Sequence, residues 1–259
     1  ACTQSLGLTR RLGDQHALYA NLSTAFETPS TTEFDNPSGG GFNTDLESQK
    51  SKNFEVGARG RFLLDPVGVD YEVAAFHIDI EDALVPFELA AFPEREFYRN
   101  AGAGVRNGLE AAIGVEFSDT LELALSYTWS DFRYRDFEAA GGDFSGNRIP
   151  GIPRHFGMIR LQYESPGGLF AELATRVVGR LYADDANRTT VGGYSTTGLT
   201  VGWRKAAGPW QLEPFIGVRN LFDEAYFANV RINAFGGRHY EPAPERLVFG
   251  GIRIGYAFP

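Results

Sequence analysis

Apolar and polar residues alternate along most of the chain with a period of two. The clearest case lies at 121–130, where Leu121, Leu123, Leu125, Tyr127 and Trp129 share one parity and small or polar residues hold the other. The same alternation returns in at least eight other segments. Strands with one apolar and one polar face are typical of a barrel that meets lipid outside and water inside. The pattern predicts an all-β fold, a transmembrane antiparallel β-barrel.

The connections between the predicted strands alternate in length. Short turns fall at 13–15, 65–68, 118–120, 165–168 and 206–209, and long connections at 27–52, 81–96, 131–154, 182–193 and 223–245. Short turns at one end and long loops at the other are typical of the periplasmic and extracellular ends of an outer-membrane barrel. We expect about eleven strands in one barrel segment covering 1–259, without a domain boundary. A soluble sandwich also alternates, but its edges and corners usually break the period.

An odd number of strands raises the question of how the barrel closes. Bacterial single-chain barrels normally have even numbers of strands, so the chain is expected to be part of a larger wall. The remaining half would then be another part of the protein or a second chain. Two other closures stay open: two copies joined by parallel seams, or loss of the first strand from the wall, with 17–26 pairing to 246–258 in a ring of about ten strands.

Composition argues against several classes of protein and several kinds of site. The net charge of −9 argues against nucleic acid, and the absence of any apolar run of about 18 residues argues against a helical membrane span. Cys2 is the only cysteine, so no disulfide or thiolate metal cluster is expected. The four histidines show no paired spacing, and Asp184 and Asp185 lack the pattern of a calcium loop, so no metal or other cofactor is expected.

Catalysis also has little support in the sequence. The chain has no Gly-x-Ser-x-Gly elbow. His77 and Asp79 share a face of one predicted strand, but such a pair near a strand end is usually structural. A barrel hydrolase is therefore the weaker alternative, and the protein is not expected to be an enzyme.

Four short motifs together resemble TonB-dependent outer-membrane receptors. They are NTDL with KSKNFEVG at 43–46 and 50–57, NAG with GLE at 100–102 and 108–110, NRIPGIPRH at 147–155, and RNLFDEAY at 219–226 ahead of an aromatic terminal strand. Each motif is weak alone, but their order and spacing are fairly specific. The resemblance implies the carboxyl-terminal half of a barrel of about 22 strands around a plugged lumen.

The resemblance also implies a function. Receptors of this family take up ferric siderophores, or other scarce nutrients such as cobalamin, across the bacterial outer membrane. The implied partners are outer-membrane lipid, the small nutrient ligand, and the TonB complex, which would be reached only through a plug region missing from this chain. The alternative is a passive pore, formed if the half barrel closes on itself without a plug.

Candidate ligand residues lie in the long connections. The run DFRYRDF at 131–137 interleaves aromatic rings and guanidinium groups, which suits an anionic aromatic iron chelate. The alternative is a girdle at the membrane rim with snorkelling arginines. The candidates are Phe132, Arg133, Tyr134 and Arg135, then Arg180, Tyr182 and Arg188, and finally Arg231, Arg238, His239 and Tyr240.

Overall fold

A computed structural model describes residues 3–139 and 142–258, which are mostly β-strand; Cys2 lies outside them. The strands are β1 Gln4–Leu12, β2 His16–Glu27, β3 Gln49–Leu64, β4 Val67–Leu89, β5 Phe92–Ser118, β6 Leu121–Asp136, β7 Glu138–Ala139, β8 Gly142–Asp143, β9 His155–Glu164, β10 Leu169–Val178, β11 Leu181–Tyr182, β12 Thr190–Val191, β13 Tyr194–Trp203, β14 Lys205–Ala207, β15 Trp210–Arg219, β16 Phe227–Val230, β17 Tyr240–Pro242 and β18 Leu247–Tyr256. A 3-10 turn spans Phe235–Gly237. None of the described helices is long and apolar enough to cross a membrane.

Twelve strands form one antiparallel sheet. Its order is β1, β2, β3, β4, β5, β6, β9, β10, β13, β15 and β18, with β14 pairing β15 beyond the end of β13. Because β13 and β14 occupy one position in the wall, the sheet has eleven wall positions. The predicted all-β antiparallel fold is confirmed. Within the described ranges, β1 pairs only with β2 and β18 only with β15, so the first strand remains in the wall.

The five tight turns lie where glycine, proline and aspartate predict them. Gly13, Gly168 and Gly208 have φ values of 70°, 85° and 60°, a region that favours glycine because it has no Cβ. At Gly168 the backbone also passes close to Arg204, whose nitrogen donates a 2.8 Å hydrogen bond to the Gly168 oxygen. All five turns lie at the same end of the sheet, because every strand that follows one runs back towards the long loops.

The expected long loop at 81–96 is wrong. β4 and β5 stay paired up to Leu89 and Phe92, with a register shift after Glu88, and only two residues separate the strands. Asp82 adopts a positive φ of 57°, and the irregularity shifts the parity, so that Ile80, Ala83 and Val85 are all buried. The alternation of apolar and polar residues with a period of two breaks at such a residue, although the pairing of the two strands continues. The loop boundary at 131 is also wrong, since β6 extends to Asp136.

The polar parity faces the concave side of the sheet. A cavity of about 790 Å³ is lined by Glu116, Glu122, Gln162, Glu172, Arg204 and Arg253, which come from six different parts of the wall. The opposite parity carries exposed apolar residues such as Leu109, Ile216 and Ile252, at 50%, 60% and 67% exposure. The concave face is therefore the lumen side, and the apolar face is the outward side that meets lipid.

Candidate ligand-binding site

One arginine and two tyrosines form a compact group on the lumen side. The rings of Tyr194 and Tyr226 stack with centroids 4.5 Å apart. The guanidinium of Arg176 lies 5.5 Å from the Tyr194 centroid and 5.9 Å from that of Tyr226. The residues come from β10, the start of β13 and the segment after β15. We call Arg176, Tyr194 and Tyr226 the lumen aromatic group.

A local turn positions Tyr226. Asn220 has a positive φ of 51°, and its side chain accepts from the Glu224 nitrogen and donates to the Glu224 oxygen, both at 2.9 Å. The Leu221 nitrogen donates to the Thr197 oxygen at 2.7 Å, which ties the turn to β13. Asparagine favours both this backbone region and such local hydrogen bonds. The RNLFDEAY segment therefore returns Tyr226 to the wall beside Tyr194.

The lumen aromatic group borders a cavity of about 400 Å³, which is lined by Met158, Arg176, Thr196, Arg219, Tyr226 and Glu245. A second cation and ring pair on the same face is Arg106 and Phe132, with the guanidinium 5.6 Å from the ring centroid. The Nε of Arg106 is buried and has no hydrogen-bond partner among the described residues. Guanidinium groups and ring faces on one surface are chemically suited to a ligand that offers negative charge and flat surface.

Above the lumen, Asp185 joins four separate parts of the chain. Its carboxylate accepts from the Tyr134 hydroxyl at 2.7 Å, from Arg99 at 3.3 Å and from the Asn233 amide at 3.0 Å. The Asn233 amide also donates to the Pro86 oxygen at 2.9 Å. The Asp185 side chain is 3% exposed. The extracellular hairpins of β11–β12 and β16–β17 are thus fixed to β4, β5 and β6.

Burial shifts the pKa values of Asp185 and Tyr134. Burial raises the pKa of the Asp185 carboxyl above its ordinary value, although the hydrogen bonds from Tyr134, Arg99 and Asn233 act in the other direction. Burial, together with the neighbouring Asp185 charge, also raises the pKa of Tyr134. Tyr134 is therefore a neutral hydrogen-bond donor in the folded chain.

The run at 131–137 is divided between the two faces of β6. Tyr134 is 1% exposed and packs in the apolar cluster with Ile80, Val85 and Phe137, and Phe132 faces the lumen beside Arg106. Arg133 and Arg135 lie on the outward face with Trp129. Their partners are Asp131, at 3.1 Å from Arg133, and Asp79, which pairs with Arg135.

The other candidate residues are spread over the extracellular hairpins. Arg180 is exposed, Tyr182 pairs in β11, and the Arg188 nitrogen donates to Asp184 at 3.0 Å. His239 is buried, with Nδ1 3.0 Å from the Arg231 oxygen. The other three candidates contact neighbouring groups. Arg231 pairs with Glu241 at 2.9 Å, Arg238 donates to the Phe235 oxygen at 3.5 Å, and the Tyr240 ring stacks on Phe227 with centroids 4.6 Å apart.

His77 and Asp79, the only pair considered for catalysis, also lie on the outward face. His77 Nε2 is 3.3 Å from Asp79, and Nδ1 is 2.7 Å from the Asn107 side-chain oxygen. Both ring nitrogens are occupied by neighbours of the same sheet, so the pair stabilises the pairing of β4 and β5.

An antiparallel wall with a polar concave face, an apolar outward face and long loops at one end is the architecture of an outer-membrane β-barrel. The family comparison makes this assignment specific. The chain belongs to the TonB dependent receptor-like, beta-barrel family, whose model matches residues 3–221. Proteins of this family reside in the Gram-negative outer membrane and are transporters, not enzymes.

Two curated relatives are named for ferrioxamine. The Ferrioxamine receptor of Yersinia enterocolitica is 27% identical over 193 residues, covering 71% of this chain and 25% of the relative. The Ferrioxamine B receptor of Salmonella typhimurium strain SL1344 is 27% identical over 219 residues, covering 82% and 28%. The chain therefore spans about a quarter of the length of these relatives.

Solved structures share the fold. The ferric citrate transporter FecA superposes with a TM-score of 0.75 at 20% identity, over 97% of this chain and 38% of FecA. The ferric-catecholate import receptor Fiu from K12 E. coli gives 0.71 at 18%, over 97% and 34%. The copper transporter OprC gives 0.73 at 17%, over 98% and 39%. A fold shared with proteins named for different cargoes does not by itself select a ligand.

Proposed function

We propose that the receptor containing this chain takes up a ferric siderophore, energised through TonB, and that the lumen aromatic group contacts the chelate as it passes. The curated relatives named for ferrioxamine support iron uptake. The single observation that carries the proposal is the placement of Arg176 against the stacked rings of Tyr194 and Tyr226, on the lumen face.

The chemistry of the lumen aromatic group suits an iron chelate. Ring faces contact flat or apolar parts of the ligand, and a guanidinium donates hydrogen bonds to negatively charged oxygens around the metal. Phe132 and Arg106 extend the same combination along the lumen. Above them, the exposed Arg180 and Tyr240 stand where a ligand arrives from outside, and we propose them as early contacts.

Uptake by intact cells tests the function. Strains with and without the whole gene would be supplied with single iron-loaded siderophores carrying radioactive iron. We expect uptake of at least one ferric chelate to require the gene and to stop when TonB is deleted. Equal uptake in both strains for every iron chelate tried would contradict the proposal and favour another nutrient.

A variant tests the site. Arg176→Gln in the full-length receptor should weaken binding of the transported chelate by about tenfold, because a charge-assisted hydrogen bond to the anionic oxygens of the chelate is lost. The matched control is Arg160→Gln, because Arg160 lines the lumen from β9 and has no ring or ion-pair partner among the described residues. Equal affinity in the Arg176 variant and the parent receptor would remove the lumen aromatic group from the binding site, while leaving uptake itself intact.

A further inference from the structure

Three arginines lie beside the outward face of β6, and two of them pair with a single carboxylate. The Arg148 guanidinium is 2.9 Å from Asp131, and Arg133 Nε is 3.1 Å from the same oxygen. The Arg154 guanidinium lies 5.9 Å from the centroid of the Trp129 ring. We call Arg133, Arg148 and Arg154, with Asp131, the outer arginine cluster.

The register of the strands places this cluster outside the barrel. Asp131 and Arg133 have the parity of Trp129, the last aromatic residue of the outward apolar row. Arg148 pairs with Arg133 in an antiparallel bridge, so the two side chains share a face. Tryptophan is enriched where the hydrocarbon core meets the headgroups. The cluster therefore begins immediately above the hydrocarbon core, at the height of the headgroups of the outer leaflet.

The cluster carries more positive than negative charge. Arg154 makes no ion pair among the described residues, and one Asp131 carboxylate serves both Arg133 and Arg148. Burial lowers the pKa of Arg148, and the nearby charges of Arg154 and Arg133 lower it further, against the effect of Asp131. The Asp131 side chain is 22% exposed and that of Arg133 42%, so a cation is presented towards the outside.

The outward cations on either side of the cluster are paired with carboxylates. The charge of the neighbouring Arg135 is neutralised by its ion pair with Asp79. On β10, β13 and β15 the outward residues nearest the same end are Val177, Ser195 and Val218, which carry no charge. On β3, the outward Lys52 pairs with Glu81 at 3.6 Å, whereas the outer arginine cluster has three guanidinium groups and one carboxylate.

We propose that the outer arginine cluster binds the phosphate of an anionic lipid headgroup in the outer leaflet. Guanidinium groups match phosphate oxygens with paired hydrogen bonds, and the Trp129 ring beneath them packs against the acyl chains. Asp131 holds Arg133 and Arg148 in place before the lipid arrives. A soluble ligand in the lumen does not reach this face, because the wall separates the two.

Lipid retention by the full-length receptor tests the site. The receptor would be purified in detergent, exchanged with diphosphoryl lipid A or with the same lipid after removal of its phosphates, and examined by native mass spectrometry. We expect bound diphosphoryl lipid to fall about fivefold for each arginine removed in Arg148→Gln and Arg154→Gln, since one basic residue near an anionic surface contributes on that scale. The dephosphorylated lipid should bind weakly to all forms.

The control variant is Lys205→Gln. Lys205 also lies beside a tryptophan, 5.3 Å from the Trp203 ring, but at the opposite end of the wall. It should retain diphosphoryl lipid A as the parent does. Unchanged retention in the double arginine variant, or an equal loss in the lysine variant, would overturn the proposal. Displacement of the lipid by inorganic phosphate alone would also overturn it, in favour of a site for free anions. Unchanged β-sheet circular dichroism would show that the variants fold.

Discussion

The Phe170 ring occupies the space that a side chain at Gly202, on the neighbouring strand, would need. The Arg204 guanidinium lies 4.7 Å from the centroid of the same ring. The same pairing recurs on the lumen face, where aromatic rings cover the glycines of adjacent strands: Tyr19 over Gly57, Phe76 over Gly108, Phe249 over Gly217 and Phe215 over Gly251. Glycines thus allow large rings to lie against the wall, and arginines cover several of them.

A methyl group at Gly202 should disrupt this layer. In Gly202→Ala the new Cβ would overlap the Phe170 ring and would come 2.7 Å from the Pro214 oxygen, which belongs to the backbone and cannot move away freely. We expect a loss of about 1–3 kcal/mol of stability, the usual cost of overpacking. Thermal unfolding of the full-length receptor in detergent measures it. Gly192→Ala is the control, because no atom lies within 4 Å of a Cβ there; equal unfolding temperatures for the two variants would contradict the prediction.

The period of two predicts which face each residue occupies, because the two sides of the wall meet different solvents. It therefore gave the eleven wall positions and the lumen and lipid faces. It does not give the register across strands, and the partnership of Phe170 with Gly202 depends on that register. The period also fails at Asp82, where a positive φ changes parity without ending the strand, so the tall hairpin of β4 and β5 was not predicted.

Removal of the Tyr134 hydroxyl should loosen the extracellular hairpins. Tyr134→Phe keeps the ring in its apolar cluster, but leaves the buried Asp185 carboxylate without its 2.7 Å donor. The expected cost is about 1–3 kcal/mol, as for other buried polar groups that lose a partner. Limited proteolysis of the receptor on intact cells should show faster cleavage of the loops. Tyr240→Phe is the matched control, because the Tyr240 ring is 40% exposed. The loops of this variant should be cleaved at the same rate as those of the parent receptor.

The candidate site was predictable only in part. Parity alone places Phe132 and Tyr134 on one face of β6 and Arg133 and Arg135 on the other, so the run at 131–137 was never a single surface. The partner that buries Tyr134 is Asp185, 51 positions along the chain, and no local pattern indicates it. Tyr226 belongs to the RNLFDEAY motif, which contributed to the family resemblance but supplied no candidate ligand residue, and only the turn at Asn220 brings it to Tyr194.

Asp185 should make the stability of the loop cluster depend on pH. Its pKa is raised in the folded chain by burial, so the folded state binds a proton more readily than the unfolded state. Its contribution to stability is therefore fully present below the unfolded-state pKa, and is lost as the pH rises through the higher folded-state pKa. Loop proteolysis between about pH 4 and pH 7 should accelerate as the pH rises in the parent receptor, and less so in Asp185→Asn.

Asp143 provides a control of opposite sign for this titration. Hydrogen bonds from Ser145 lower the pKa of the Asp143 carboxyl. The contribution of Asp143 to stability is therefore present above the unfolded-state pKa, and it is lost as the pH falls through the lower folded-state pKa. Asp143→Asn should leave the acceleration towards neutral pH unchanged. If Asp143→Asn and Asp185→Asn altered the pH profile alike, the slope would not arise at Asp185.

Four charged side chains form a connected row at the turn end of the lumen. Glu213 accepts from Arg204 at 2.8 Å and from Arg253, and Arg204 also donates to Glu164 at 2.6 Å, so one carboxylate links three strands. The Glu213 side chain is 10% exposed, which limits screening by water and salt. Glu213→Gln leaves two guanidinium groups without their shared carboxylate, and should cost about 1.5–3 kcal/mol, the range for hydrogen bonds to charged groups.

Glu81→Gln is the matched control for Glu213, because the Lys52 to Glu81 pair is 3.6 Å long with side chains 69% and 59% exposed. Such an exposed pair contributes less than about 1 kcal/mol. Thermal unfolding of both full-length variants at low and high salt would separate the two cases. The Glu213 variant should unfold at a clearly lower temperature in both conditions, since a shielded carboxylate is lost. If the unfolding temperature of the Glu213 variant equalled that of the parent in high salt, Glu213 would act as an ordinary surface charge.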